Sequence, residues 1–166
     1  MRRLYLRNAL TAVEHVREKL PLGASNRPDN PHVVSAGLAV NKARAEAGEL
    51  IHQSAQSPGK AIARTAFNEG GGNCGEQAEM AFQFLKDMGI SPIELWAINP
   101  NRGDHAFVII GRPAAASDRW MDNSWGDAVI CDPWANIVQA VADDDEIYGT
   151  RLECRKRWAR TTSMDI

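Results

Sequence analysis

Apolar residues recur at near-helical spacing at the start of the chain, where Leu4, Leu6, Leu10, Val13, Val16 and Leu20 alternate with charged and polar positions. The pattern predicts a helix that ends where Pro21, Pro28 and Pro31 crowd the sequence. A second helix is expected over Val33–His52, with Val34, Leu38, Ala45 and Leu50 among its apolar residues and Lys42, Arg44, Glu46 and Glu49 solvated; Ser57-Pro58-Gly59 breaks it. A short helical piece over Lys60–Phe67 leads into Gly70-Gly71-Gly72. The next helix runs from Cys74 to Met88 and sets Cys74, Ala78, Ala81, Leu85 and Met88 on one side, with Gly89 as its stop.

Beyond Gly89 the period changes. Pro92–Ile98 reads as a strand, Asn99–Gly103 as a turn and His105–Ile110 as a buried β-branched strand; Arg112–Gly126 reads as a loop carrying Trp120 and Trp125, and Asp127–Asp132 as a further strand stopped by Pro133. Helices first and strands afterwards predict an α+β fold: N-terminal helices and a central cysteine-bearing helix on a small, mostly antiparallel sheet. The chain is read as one domain, with a helical layer over 1–67, a core over 68–150 and a basic, solvated tail over 151–166. Alternation along the strands puts Phe107 and Ile109 on the face of His105. It groups Asp132 with Ile130 and Ala128, and sends Cys131 to the reverse, core face.

The loop before the central helix changes the picture from architecture to chemistry. Asn73 is a good N-cap, and Glu76, three residues on, is placed to return a bond to the cap N–H. Cys74 therefore opens the helix, where unpaired N–H groups and the helix dipole favour a thiolate. The three glycines before it keep the loop small and leave access to the sulfur. Of the four histidines only His105 sits on a convincing strand, and Asp132 lies at a strand exit. A carboxylate beside a histidine fixes the ring tautomer and stabilises its charged form. Asp127 competes with Asp132 for that role but lies ~17 Å away along an extended chain, so both cannot serve one histidine. Asp104 reads as a turn or capping residue.

The motifs Asn-Cys-Gly-Glu-Gln-Ala, Gly-Asp-His-Ala-Phe-Val and Cys-Asp-Pro-Trp, taken in this order over Asn68–Trp134, resemble those of the papain-like and transglutaminase-like thiol enzymes. Within that group the chain looks most like the compact bacterial toxin and effector domains that deamidate glutamine. The resemblance implies a Cys74–His105–Asp132 triad, a protein substrate presenting a carboxamide, and no cofactor. Papain-type proteases carry a glutamine six residues before the cysteine as an oxyanion donor; Asn68 stands there in this chain. Asn68 and Asn73 are thus the candidate side-chain donors beside the Cys74 N–H. The same triad serves a cysteine protease or a transglutaminase, and a binding module that keeps the fold without turnover is the alternative from another class. Trp120, Trp125 and Trp134 read first as core packing or a lid edge, with Trp125 and Trp134 the candidates for substrate contact.

Composition narrows the partners. With a formal net charge of −2 there is no global pull toward nucleic acid or an anionic membrane, and the basic stretch Arg151–Arg160 follows the acidic Asp143–Glu146. The three cysteines have no CxxC spacing, so neither structural zinc nor a disulfide framework is expected, and reduced thiols point to a cytosolic environment. Arg7, Asn8, Glu14 and His15 interrupt any apolar run of signal-peptide or membrane-span length. Delivery into a target cell by a specialised secretion system would leave no such mark.

Overall fold

The computed structural model describes residues 1–53, 57–98, 105–120, 122–144, 148 and 152–159. Four helices come first: α1 (Arg2–Lys19), α2 (Val33–Gln53), α3 (Pro58–Glu69) and α4 (Cys74–Asp87). Five strands follow: β1 (Ile93–Ile98), β2 (Ala106–Ile110), β3 (Val129–Asp132), β4 (Ile137–Ala140) and β5 (Leu152–Trp158). They form one antiparallel sheet in the order β4-β3-β2-β1-β5. The turn expected over Asn99–Gly103, and Asp104 after it, lie outside the described residues.

Strand alternation builds two cores. Leu95, Val108, Ile110, Val129 and Cys131 point to the helical side and meet Ala9, Ala12, Val13 and Val16 of α1 and Ala78, Ala81 and Leu85 of α4. Trp96, Phe107, Ile109 and Ile130 point the other way and are covered by Trp120, Trp125, Val141 and Tyr148. Both faces of β2 and β3 are buried, which accounts for their unbroken apolar runs. The expected face split therefore holds, and Cys131 is a core thiol with its Sγ 3.6 Å from Ala9 O.

Four expectations change. The buried face of α2 is not formed by its large residues: Val34 and Leu38 are 75% and 70% exposed, while Ala36, Ala39, Val40, Ala43 and Ala47 are buried. The reason is close approach. A Cβ on Gly71 would stand 2.9 Å from the Ala39 Cβ, so α2 lies almost on the glycine loop and only alanines fit the contact. Gly71 and Gly72 are buried, and their smallness serves packing; the sulfur gains no open approach from them. Met88, expected on the inner side of α4, is 46% exposed because α4 ends at Asp87. The segment Leu152–Trp158, read as part of a solvated tail, is the edge strand β5 paired with β1. Its charge hid it: Lys156 pairs with Glu79 and Arg157 with Glu94, as suits an edge where charged side chains deter further pairing.

Candidate active site

α3 stops at Gly70, whose positive φ of 70° ends the helix in a left-handed cap. The next three residues run beside the loop that follows α1: Leu22 N–H donates to Gly70 O (2.9 Å), Gly72 N–H to Gly23 O (3.1 Å), and Gly23 bridges Gly71 in parallel. Asn73 then caps α4 in the expected capping box, with its N–H donating to Glu76 Oε2 at 2.9 Å. Arg44 from α2 holds Glu76 through Nε at 2.7 Å, and Gln77 Nε2 donates to Gly72 O at 2.8 Å. Cys74, the first residue of this pinned helix, is only 4% exposed.

The antiparallel pairing of β2 with β3 brings the other two residues together. His105 sits one residue before β2, its carbonyl accepting from Ile98 N–H at 2.9 Å, and Asp132 ends β3 with its side chain fully buried. His105 Nε2 lies 2.6 Å from Asp132 Oδ2, which also accepts from Tyr148 OH at 2.8 Å; Oδ1 accepts from Ala135 N–H at 3.0 Å. With Nε2 committed to Asp132, Nδ1 is the ring nitrogen left for the hydrogen bond that His105 makes with Cys74. Burial works against charge on His105, but the bonds to Asp132 and Cys74 and their negative charge outweigh it, and the histidine is raised to about 9. Trp134, half-buried, closes the outer side, its ring 5.0 Å from that of His105. Arg27 lies over Trp134 at 5.3 Å.

Cys74, His105 and Asp132 are thus brought together, with Trp134 at their rim. Asp127 is half-exposed at the surface and pairs at 3.5 Å with the Met1 amino group and Arg2. Asn73 is a capping residue: its Oδ1 accepts from the N–H and hydroxyl of Ser25 at 2.9 and 3.0 Å. Asn68 is exposed on the last turn of α3, and no hydrogen bond ties it to His105 or Asp132. Trp125 is buried in the second core. It is 2% exposed, donates its indole N–H to Ser117 O at 2.7 Å, and packs against Trp96 and Trp120 beneath Arg112.

No protein-family model matches the chain, and no curated protein sequence matches it. What the site can do follows from its own geometry: a thiol at a helix start, a histidine beside it, and a buried carboxylate bonded to that histidine at 2.6 Å. Beside this trio a cleft of about 360 Å³ opens, lined among others by Ala24, Arg27, Asn30, Gln77, Pro133 and Trp134. Its walls abut the trio through Gln77, one turn along from Cys74, and through Trp134. Sequence reasoning missed Tyr148 and Arg27. Tyr148 belongs to no motif, and Arg27 lies in the proline-rich loop more than a hundred residues from the Trp134 carbonyl that it bonds at 2.5 Å. Among the described residues no cluster of histidine, cysteine, aspartate and glutamate suits a metal ion, and no helix is long and apolar enough to cross a membrane.

Proposed function

We propose that the protein is a thiol acyltransferase of papain-like or transglutaminase-like kind, and that it hydrolyses side-chain carboxamides as a protein glutamine deamidase. The observation that carries this reading is the His105 ring, bonded to the buried Asp132 carboxylate at 2.6 Å with Cys74 beside it at the start of α4. A histidine next to a sulfur at a helix start is the arrangement of a thiol nucleophile with its base. In the proposed reaction Cys74 Sγ bonds to the carboxamide carbon and the carbonyl pair moves to oxygen. On collapse the C–N bond breaks, and His105 gives its proton to the departing ammonia. Water then attacks the thioester carbon and loses a proton to His105; the C–S bond breaks, the sulfur leaves as the Cys74 thiolate beside the protonated His105, and the product acid departs. Asp132 and Tyr148 act through His105 and do not touch the substrate.

A deamidase is favoured over a protease by the size of the cleft beside Trp134, which suits one side chain with its flanking backbone better than an extended peptide. The test is intact-mass analysis of candidate host proteins after incubation with the enzyme. The expected result is the small mass gain of amide-to-acid conversion, absent with Cys74→Ala. Fragments would instead assign a protease, and cross-linked products a transglutaminase. No covalent change in any substrate, with Cys74 inert to alkylation, would leave a binding module.

A further inference from the structure

Acyl transfer puts negative charge on the carbonyl oxygen, and such sites use preorganised donors aimed at it. The backbone at the head of α4 supplies N–H groups, yet neither Asn68 nor Asn73 is well placed to add a side-chain donor. A third asparagine is. In the parallel run of the α1–α2 loop beside the glycine loop, Gly23 bridges Gly71 and Ser25 donates to Asn73. The same offset continued by one residue brings Asn26 level with Cys74. The opposite side of Asn26 is tied to the histidine half of the site, because Trp134 Nε1 donates to Asn26 Oδ1 at 2.8 Å and the Trp134 ring lies 5.0 Å from that of His105. An indole N–H can only donate, which fixes the amide atom facing it as oxygen. Asn26 is exposed on this loop, and its Nδ2 is then the free end of a carboxamide anchored through its oxygen to the histidine's aromatic neighbour, with no hydrogen-bond partner among the described residues.

We propose that Asn26 Nδ2 is the side-chain oxyanion donor of this site, a catalytic role that rests on the reading of Cys74 as nucleophile. The donor then comes from the α1–α2 loop, about fifty residues upstream of Cys74 as the bridge register shows, where the linear pattern of the thiol proteases does not place it. Arg27, next to Asn26, bonds the Trp134 carbonyl at 2.5 Å and pairs with Asp29 at 2.9 and 2.8 Å, so the loop is tied to the segment that holds Trp134.

The experiment compares two reactions of Cys74 in the full chain. p-Nitrophenyl acetate acylates the sulfur through an oxyanion: the C–S bond forms, p-nitrophenolate leaves, and an acetyl thioester stays on Cys74. Iodoacetamide alkylates the same sulfur by displacing iodide, with no oxyanion. Asn26→Ala is expected to slow acylation by ~10²–10³-fold while alkylation keeps its rate. Asn26→Asp, which keeps an acceptor for Trp134 but has no donor, is expected to be slowed as much and serves if the alanine variant fails to fold. If wild-type Cys74 acylates and either folded variant acylates equally fast, or loses both reactions in proportion, the assignment of Asn26 is overturned and the nucleophile reading stands. If wild-type Cys74 forms no thioester, the nucleophile reading falls and the assignment falls with it.

Discussion

His105 is the residue whose charge state organises the site, and its pH behaviour has a defined sign. Its folded-state value of about 9 lies above the ordinary 6.5, so protonation favours the folded form. That stabilisation is complete below pH 6.5 and is lost as the pH rises through about 9. Urea midpoints measured across this window are expected to fall for the wild type and to stay flatter for His105→Ala. Turnover should fall over the same alkaline limb, since in the proposed reaction the departing ammonia takes the imidazolium proton. Among the thiols, Cys74 is expected to be alkylated first at mildly acidic pH, followed by peptide mass spectrometry. Cys131 is fully buried and pushed far up, while partial desolvation and Glu94 raise the exposed Cys154 to about 11. Equal labelling of all three in the folded protein would remove the case for a nucleophile. Asp132→Asn should cut turnover by up to roughly 10⁴-fold yet leave more than Cys74→Ala does, because the amide keeps part of the orientation and loses the charge.

At the scale of the element, the start of α4 is held by several bonds that were legible in sequence, and by others that were not. The capping box between Asn73 and Glu76 followed from spacing alone. The hold of Arg44 on Glu76 and of Ser25 on Asn73 did not, since each joins segments tens of residues apart. Asn73→Ala is expected to cost ~1–2 kcal/mol of stability through the lost cap. It should also broaden the reactivity of Cys74, read as a slower alkylation rate, because the helix start would no longer be fixed. Gly71→Ala is expected to destabilise by a further mechanism: its Cβ would meet Ala39 at 2.9 Å, and α2 must move away. Ala39→Gly in the same chain should restore part of the loss in thermal unfolding, and failure to do so would place the strain elsewhere.

Over the whole molecule, the sheet owes its second edge to β5, and β1 owes its burial to both neighbours. A chain ending at residue 150 would leave the outer edge of β1 unpaired along Ile93–Ile98, its other edge still bonded to β2, and would uncouple Glu94 from Arg157 and Glu79 from Lys156. Such a chain is expected to aggregate, read as loss of the monodisperse peak in size exclusion, because an open apolar strand edge templates further pairing. The two cores differ in what they do. The helical side, rich in alanine, fixes where α4 begins, and the aromatic side carries Phe107 and Tyr148 under His105.

The sequence by itself determined the elements with strong local signals: α1, α4 and its cap, β1 to β3, the alternation that makes Cys131 a core thiol, and the order Cys74, His105, Asp132. These rest on periodicity, capping chemistry and strand composition, which act over a few residues. Tertiary structure alone decided which face of α2 is buried, because approach to Gly71 overrode the usual preference for burying large side chains. It also decided that a charged C-terminal segment is a strand, since β5 draws its stability from hydrogen bonds and ion pairs with partners distant in the chain. The same holds at the site. Tyr148, Arg27 and Asn26 carry no local pattern: Tyr148 meets Asp132, and Arg27 and Asn26 meet Trp134, only through contacts between segments distant in the chain.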